Sequence, residues 1–126
     1  SINMSGVNSI NWSRIVVQIV YYFFSYFRIA RNGEKINFSV PTGNFGNILA
    51  GWLTSRMGLP AQHFTVATNQ NDLLYRMFTE GIYKPENVTP SLAPSMDIQV
   101  ASNFERFLYY YFGGDVERLN SFMKTP

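Results

Sequence analysis

The sequence contains no cysteine and a single histidine, His63. Disulfides and cysteine-ligated metals are thereby excluded, and His63 has no acidic partner at ligand spacing, so it reads as a surface or strand-edge residue. Charge is also scarce: 14% of residues are charged, ten basic and eight acidic. The basic residues are scattered, with no run of Lys or Arg to track a nucleic-acid backbone, which argues against nucleic acid as a partner. Long apolar runs are missing too. The interval between Arg14 and Arg28 holds thirteen residues, one of them Gln18, short of the about 20 that a membrane span needs. No Gly-Lys-Ser or Gly-Lys-Thr follows a glycine loop, and the three-glycine Rossmann spacing is absent, so neither nucleotide-binding motif applies. There are no repeats or low-complexity tracts.

Aromatics, in contrast, are abundant: eleven Phe, eight Tyr and two Trp in 126 residues. The length suits one domain with a real core. So many aromatics with so little charge leave two readings open, an aromatic core or a surface that faces another polypeptide.

The chain is organised around Val40-Pro41-Thr42-Gly43-Asn44-Phe45-Gly46-Asn47-Ile48-Leu49-Ala50. Before it, Lys35 to Val40 is an apolar, strand-like run after the turn signal Asn32-Gly33. After it, Phe45, Ile48, Leu49, Trp52, Leu53 and Met57 recur at helical spacing up to Gly58, with Pro60 beyond. Strand, glycine-bearing loop and helix follow one another. The first turn of a helix has backbone N–H groups without intrahelical partners and the positive end of the helix dipole. Gly43 and Gly46 let the backbone approach a ligand, and Asn44 and Asn47 carry amide donors, so the segment suits an anion. Any strand-to-helix turn favours Gly and Asn, which is the plainer account of the same residues.

Elsewhere, Trp12, Ile15, Val16, Ile19, Phe23 and Phe27 predict a largely buried helix over 12–30, with Arg14, Gln18, Ser25 and Arg28 on a narrow polar stripe. Asn8, Ser9 and Asn11 stand at its start, where they cap it or contact a ligand. His63 to Thr68 predicts a second strand, parallel to the first, and both strand ends would share the edge where such sheets bind ligands. Asn69, Asn71 and Asp72 are N-cap candidates for a helix on Leu73, Leu74, Met77 and Phe78, ended by Gly81. Residues 83–94, with Pro85, Pro90 and Pro94, form a connecting loop. Ser95 to Val100 suits a short strand or extended segment, Ser102 with Glu105 a capping box, and Gly113-Gly114 a stop before a last short helix. A start at Ser1-Ile2-Asn3 reads as an excerpt of a longer protein.

Pro41-Thr42-Gly43-Asn44-Phe45-Gly46-Asn47 resembles the phosphate loop of the threonine synthases, pyridoxal 5′-phosphate (PLP) enzymes of the tryptophan-synthase-β-like fold. Four more blocks resemble that family in the same order: Asn8 to Arg14, Met57-Gly58-Leu59-Pro60, Ala67 to Asp72, and Ser95 to Val100 running into Ser102 to Arg106. The resemblance covers residues 8–106 and implies an α/β fold, part of the large PLP-binding domain of a fold type II enzyme, with parallel strands flanked by helices. It makes residues 1–126 a single partial domain with its phosphate loop at 41–47. The cofactor phosphate would be held by Gly43, Asn44, Phe45, Gly46 and Asn47, with Ser9, Asn11 and Thr42 toward the substrate.

The implied activity of the parent enzyme is conversion of O-phospho-L-homoserine and water to L-threonine and phosphate, in the cytoplasm. None of Lys35, Lys84 and Lys124 lies in a setting that resembles the family's Schiff-base lysine, which belongs to an upstream segment. The chain alone is therefore expected to be inactive and to need the remainder of the same polypeptide; oligomeric state is left open. Two rivals remain, another fold type II lyase such as a threonine dehydratase or cysteine synthase, and a non-catalytic binding module derived from one.

Overall fold

The computed structural model describes residues 6–124. The strand β1 (Ile36–Pro41), the helix α1 before it (Trp12–Ile29), the helix α2 after it (Gly46–Arg56) and the strand β2 (Ala61–Ala67) form the first half. The two strands pair in parallel, Asn37 opposite His63 and Pro41 opposite Ala67, as the connection through a helix requires. Thr42 extends the pairing by donating its N–H to the Ala67 carbonyl at 3.1 Å. The turns that leave the two strands consequently lie side by side.

The helix α2 is wrapped on most of its circumference, with Ile48, Leu49, Ala50, Gly51 and Thr54 all buried. Close approach depends on Gly51, where an added Cβ would lie 2.6 Å from Phe64 Cε1 and 2.8 Å from Tyr22 Cζ. Both neighbours are rings set in the core, so neither swings aside freely. Gly51→Ala is expected to lower stability by about 1–3 kcal/mol through overpacking, against a helix-propensity gain of about 1 kcal/mol. A urea midpoint equal to or above that of the parent chain would show that the rings give way.

The expected burial of the first helix is corrected by the structure. In α1 only Ile15, Tyr22 and Tyr26 are buried, whereas Val20 and Phe24 are 60% and Phe27 72% exposed. At 100° per residue Ile15, Ile19, Tyr22 and Tyr26 fall within about 60° of one another, and that stripe is covered by α2, with the rings of Phe38 in β1 and Phe64 in β2 against Tyr22. The opposite apolar face has no neighbour among the described residues.

In the second half, α3 (Leu73–Glu80) ends at Gly81, φ 77°, and α4 (Ser102–Tyr111) and α5 (Val116–Lys124) are separated by Gly113 and Gly114 at φ 66° and 85°. These left-handed positions favour glycine, which is why the stops were readable. Residues 95–100 form no strand; a single 3-10 turn (Pro94–Met96) stands there, opened by proline. The capping box is not made either. Ala101 occupies the N-cap of α4, and the Ser102 N–H is donated to a residue far upstream. Nor do the Asn residues before α3 cap it: Asp72 is at the N-cap without a side-chain cap bond, and its carboxylate pairs with Arg76 at 2.9 Å.

Phe45, Ile15, Leu49 and Phe104 form the fully buried centre. It lies directly beneath the loop that joins β1 to α2.

Candidate functional site

Residues 42–45 climb from the end of β1 to the head of α2, and Phe45 completes the climb with φ 61°, a left-handed conformation unusual for a bulky residue. Its ring is 1% exposed and packs against Phe78, Phe104 and Phe107 at centroid distances of 6.1, 5.2 and 5.3 Å. Aromatic burial thus offsets the about 1–2 kcal/mol that a left-handed residue costs. The backbone N–H groups of Gly43, Asn44, Phe45, Gly46 and Asn47 meet no acceptor among the described residues. They stand at the positive end of the α2 dipole.

This loop forms one wall of a cleft of about 580 Å³, lined by Ser9, Arg14, Gln18, Thr42, Gly43, Asn44, Gly46 and Asn47 together with Asn8, Pro41, Ser95, Met96 and Ile98. Gly43 has to be small there, because a Cβ would lie 3.2 Å from both the Ser95 carbonyl and Ile98 Cδ1. Two buried polar atoms in the cleft wall, Thr42 Oγ1 and Gln18 Oε1, have no hydrogen-bond partner among the described residues. Unsatisfied groups of this kind are few in folded proteins and point to a ligand or water that completes them.

Asn44 ties the loop to two distant segments. Its Oδ1 accepts the Ser102 N–H at the head of α4 at 2.5 Å, its Nδ2 donates to Ser9 Oγ, and its carbonyl accepts the Asn103 N–H at 3.3 Å. The Asn44 amide, expected from sequence to reach an anion, is therefore engaged within the protein. Asn103 in turn donates to the Ser9 carbonyl at 2.8 Å, and Arg106 bridges Asn103 Oδ1 and the Ile10 carbonyl. On the other side, the Tyr22 hydroxyl donates to the Asn47 carbonyl at 2.6 Å. Burial pushes its pKa up to about 12, so it remains a donor.

The Ser95 to Ile98 wall is held by Asp97. Its carboxylate accepts from Ser91 Oγ at 2.6 Å, the Ser91 N–H at 2.7 Å, and the Asn69 and Asn71 amides at 2.8 and 3.0 Å. The Ser91 hydroxyl first, then its N–H and the two amides, hold the Asp97 carboxyl below its ordinary 3.8. Because the folded value is depressed, the anchoring is complete above 3.8 and is lost as pH falls below it. Hydrogen exchange over residues 86–98 should rise in Asp97→Asn at pH 7, and in the parent chain only below that value. Unchanged protection in the variant would remove Asp97 as the anchor.

Of the residues singled out from sequence, Gly43, Asn44, Gly46, Asn47, Ser9 and Thr42 come together in the cleft wall. Phe45 lies beneath it, and Asn11 caps α1, accepting the Ser13 N–H at 2.9 Å. Sequence reasoning missed Arg14 and Gln18, read as a plain polar stripe, and Asn103 and Asp97, whose partners are far along the chain. Among the described residues no helix is long and apolar enough to cross a membrane, and no group of three His, Asp or Glu could hold a metal.

No family model matches the chain. The threonine synthase of Eremothecium gossypii is 53% identical over 112 residues, covering 86% of this chain and 22% of that protein. A PLP-bound threonine synthase from Brucella melitensis superposes with a TM-score of 0.88 at 47% identity, covering 95% of this chain and 26% of the other. Yeast threonine synthase does so with a TM-score of 0.81 at 43% identity, over 96% and 24%. The chain spans about a quarter of the length of these relatives. Its α/β arrangement of parallel strands and flanking helices is theirs, and so is nearly half of its sequence: the chain belongs to the threonine synthase family.

Proposed function

We propose that this chain is a partial domain that supplies the cofactor-phosphate cradle and part of the substrate wall of a PLP-dependent threonine synthase. The whole polypeptide would convert O-phospho-L-homoserine and water to L-threonine and phosphate. The observation that carries the reading is the row of N–H groups from Gly43 to Asn47, in the loop that walls the cleft and without acceptors among the described residues. Such a row, at the head of an 11-residue helix, suits a phosphate dianion. Gly43 keeps the cradle open and Asn44 holds its shape through Ser9 and Ser102. Thr42, buried and with a hydroxyl unpaired among the described residues, offers a donor and acceptor on the substrate side.

Bound there, PLP would supply the electron sink for chemistry at the substrate's carbon. The residues described here bind and orient; none of the three lysines lines the cleft, so proton transfer by a lysine falls to another part of the polypeptide. The test is direct. The longest natural polypeptide carrying this chain should retain PLP on purification and release phosphate and threonine from O-phospho-L-homoserine, while the 126-residue chain alone should not. Turnover of threonine or O-acetylserine in place of phosphohomoserine would assign it to a different lyase, and turnover by the short chain would refute the division of labour.

A further inference from the structure

The turn between α1 and β1 belongs neither to the cleft nor to the core. Residues 31–35 are all exposed, lie outside every helix and strand, and line no part of the cleft. Glu34 sets the shape of the turn: its Oε2 accepts the Arg31 N–H at 2.8 Å and the Asn32 N–H at 2.9 Å. Gly33 makes the bend at φ 75°, with nothing within 4 Å of where a Cβ would stand. The carboxylate passes over one donor. The Gly33 N–H meets no acceptor among the described residues, and the Asn32 side-chain amide has no hydrogen-bond partner among them either. Of the twelve asparagines in the chain, Asn32 is the one followed by glycine.

We infer that Asn32-Gly33 is a site of spontaneous covalent modification, at which the asparagine becomes aspartate or isoaspartate through a cyclic imide. The Gly33 nitrogen gives up its proton to hydroxide and attacks Cγ of Asn32. A bond forms between that nitrogen and Cγ, the bond from Cγ to Nδ2 breaks, and the departing nitrogen takes a proton from water to leave as ammonia. Water then opens the imide at either carbonyl, and no oxidant or reductant is required. Glycine favours the first step, because no side chain shields the attacking nitrogen and its backbone turns freely. The fold permits it, because neither reacting group is tied up in a hydrogen bond and solvent reaches both.

The product alters the turn in two ways. A new carboxylate stands beside that of Glu34, which grips the same residue's N–H, and like charges so placed repel. In the isoaspartyl form the main chain also gains a carbon just ahead of β1. The ladder is already irregular there, since the register shifts between Ile36 and Asn37, and the Ile36 N–H reaches back to the Pro60 carbonyl at 3.1 Å. The modified turn therefore loosens the start of β1.

The test incubates the longest natural polypeptide carrying this chain in mildly alkaline buffer and follows each asparagine by peptide mapping, where conversion of an amide to an acid adds about 1 Da. Asn87 is the internal control, also exposed and outside every helix and strand but followed by Val88. Asn32 should convert at least about tenfold faster than Asn87, whose β-branched neighbour shields the attacking nitrogen. Asn32→Gln, which would have to close a larger ring, should abolish conversion at that position. Conversion of Asn32 no faster than that of Asn87 would overturn the site, as would equal conversion in Asn32→Gln. The modified form, separated by its added negative charge, should show faster hydrogen exchange over residues 36–38 than the parent, and equal exchange would overturn the effect on β1.

Discussion

Replacing Phe104 with alanine is expected to lower the unfolding free energy by about 3–5 kcal/mol, the range for a large buried aromatic. Phe104 is 1% exposed, with the rings of Tyr83, Phe45, Phe78 and Phe107 at 5.1, 5.2, 5.9 and 6.2 Å. It is the meeting point of the loop before α2, the end of α3, the segment after Gly81 and the first turn of α4. Four rings surround the space it leaves, and their positions on four separate elements limit how far they can collapse into it. Against a total stability of about 5–15 kcal/mol for a typical domain, the loss is a large share. Denaturant unfolding measures it directly; a change under about 1 kcal/mol would mean that the cavity closes and that the aromatic cluster is not the keystone. Phe104→Leu, which retains most of the apolar volume, should fall between.

The second large effect is expected at Asn44, and there it should divide between stability and ligand. Asn44→Ala leaves the Ser102 N–H without its acceptor and Ser9 Oγ without its donor, at a site where α4 and the segment before α1 are joined to the loop. One orphaned buried group costs about 1–3 kcal/mol, so a total of about 2–4 kcal/mol is expected. Asn44→Asp separates the two consequences. Its carboxylate can still accept from Ser102, and the Ser9 hydroxyl can turn to donate, so much of the stability should return. A negative charge beside the N–H row would nevertheless repel a phosphate, and PLP retention should drop at least about tenfold. Equal PLP retention in Asn44→Asp and the parent would show that the loop does not hold an anion; equal stability of Asn44→Ala and the parent would show that the junction is dispensable.

What could be read from the sequence was what is encoded locally. The strand before Thr42, the helix after Phe45 and the stops at Gly58, Gly81 and Gly113-Gly114 each rest on residues within a few positions of one another, and each is where it was expected. The candidate cleft residues were also legible, because the loop that gathers them is contiguous. What escaped was non-local. Asn44 meets Ser102 across 58 positions, and no local pattern reveals that a distant side-chain oxygen has taken the role of the Ser102 capping box. Asn69 and Asn71 have the composition of helix caps but grip residues 89–97, where an irregular backbone offers more unpaired groups than α3 does. In α1 the error had a different origin: periodicity reports which faces are apolar, not which of them has a neighbour, and Phe24 and Phe27 look the same in sequence whether covered or bare.

The left-handed Phe45 has a consequence for the heat and speed of ligand capture. A glycine at that position would make the turn without strain, but its freedom would have to be frozen each time an anion arrived. With a phenyl ring locked among Phe78, Phe104 and Phe107, the loop backbone is already fixed before any ligand comes, and the ordering cost is met once, during folding. Capture by such a preorganised loop should require little rearrangement, with an association rate insensitive to loop motion and a small entropic penalty. If the proposed cradle holds an anion, the aromatic cluster under the loop is in this sense part of the binding site, although no ring in it needs to touch the ligand.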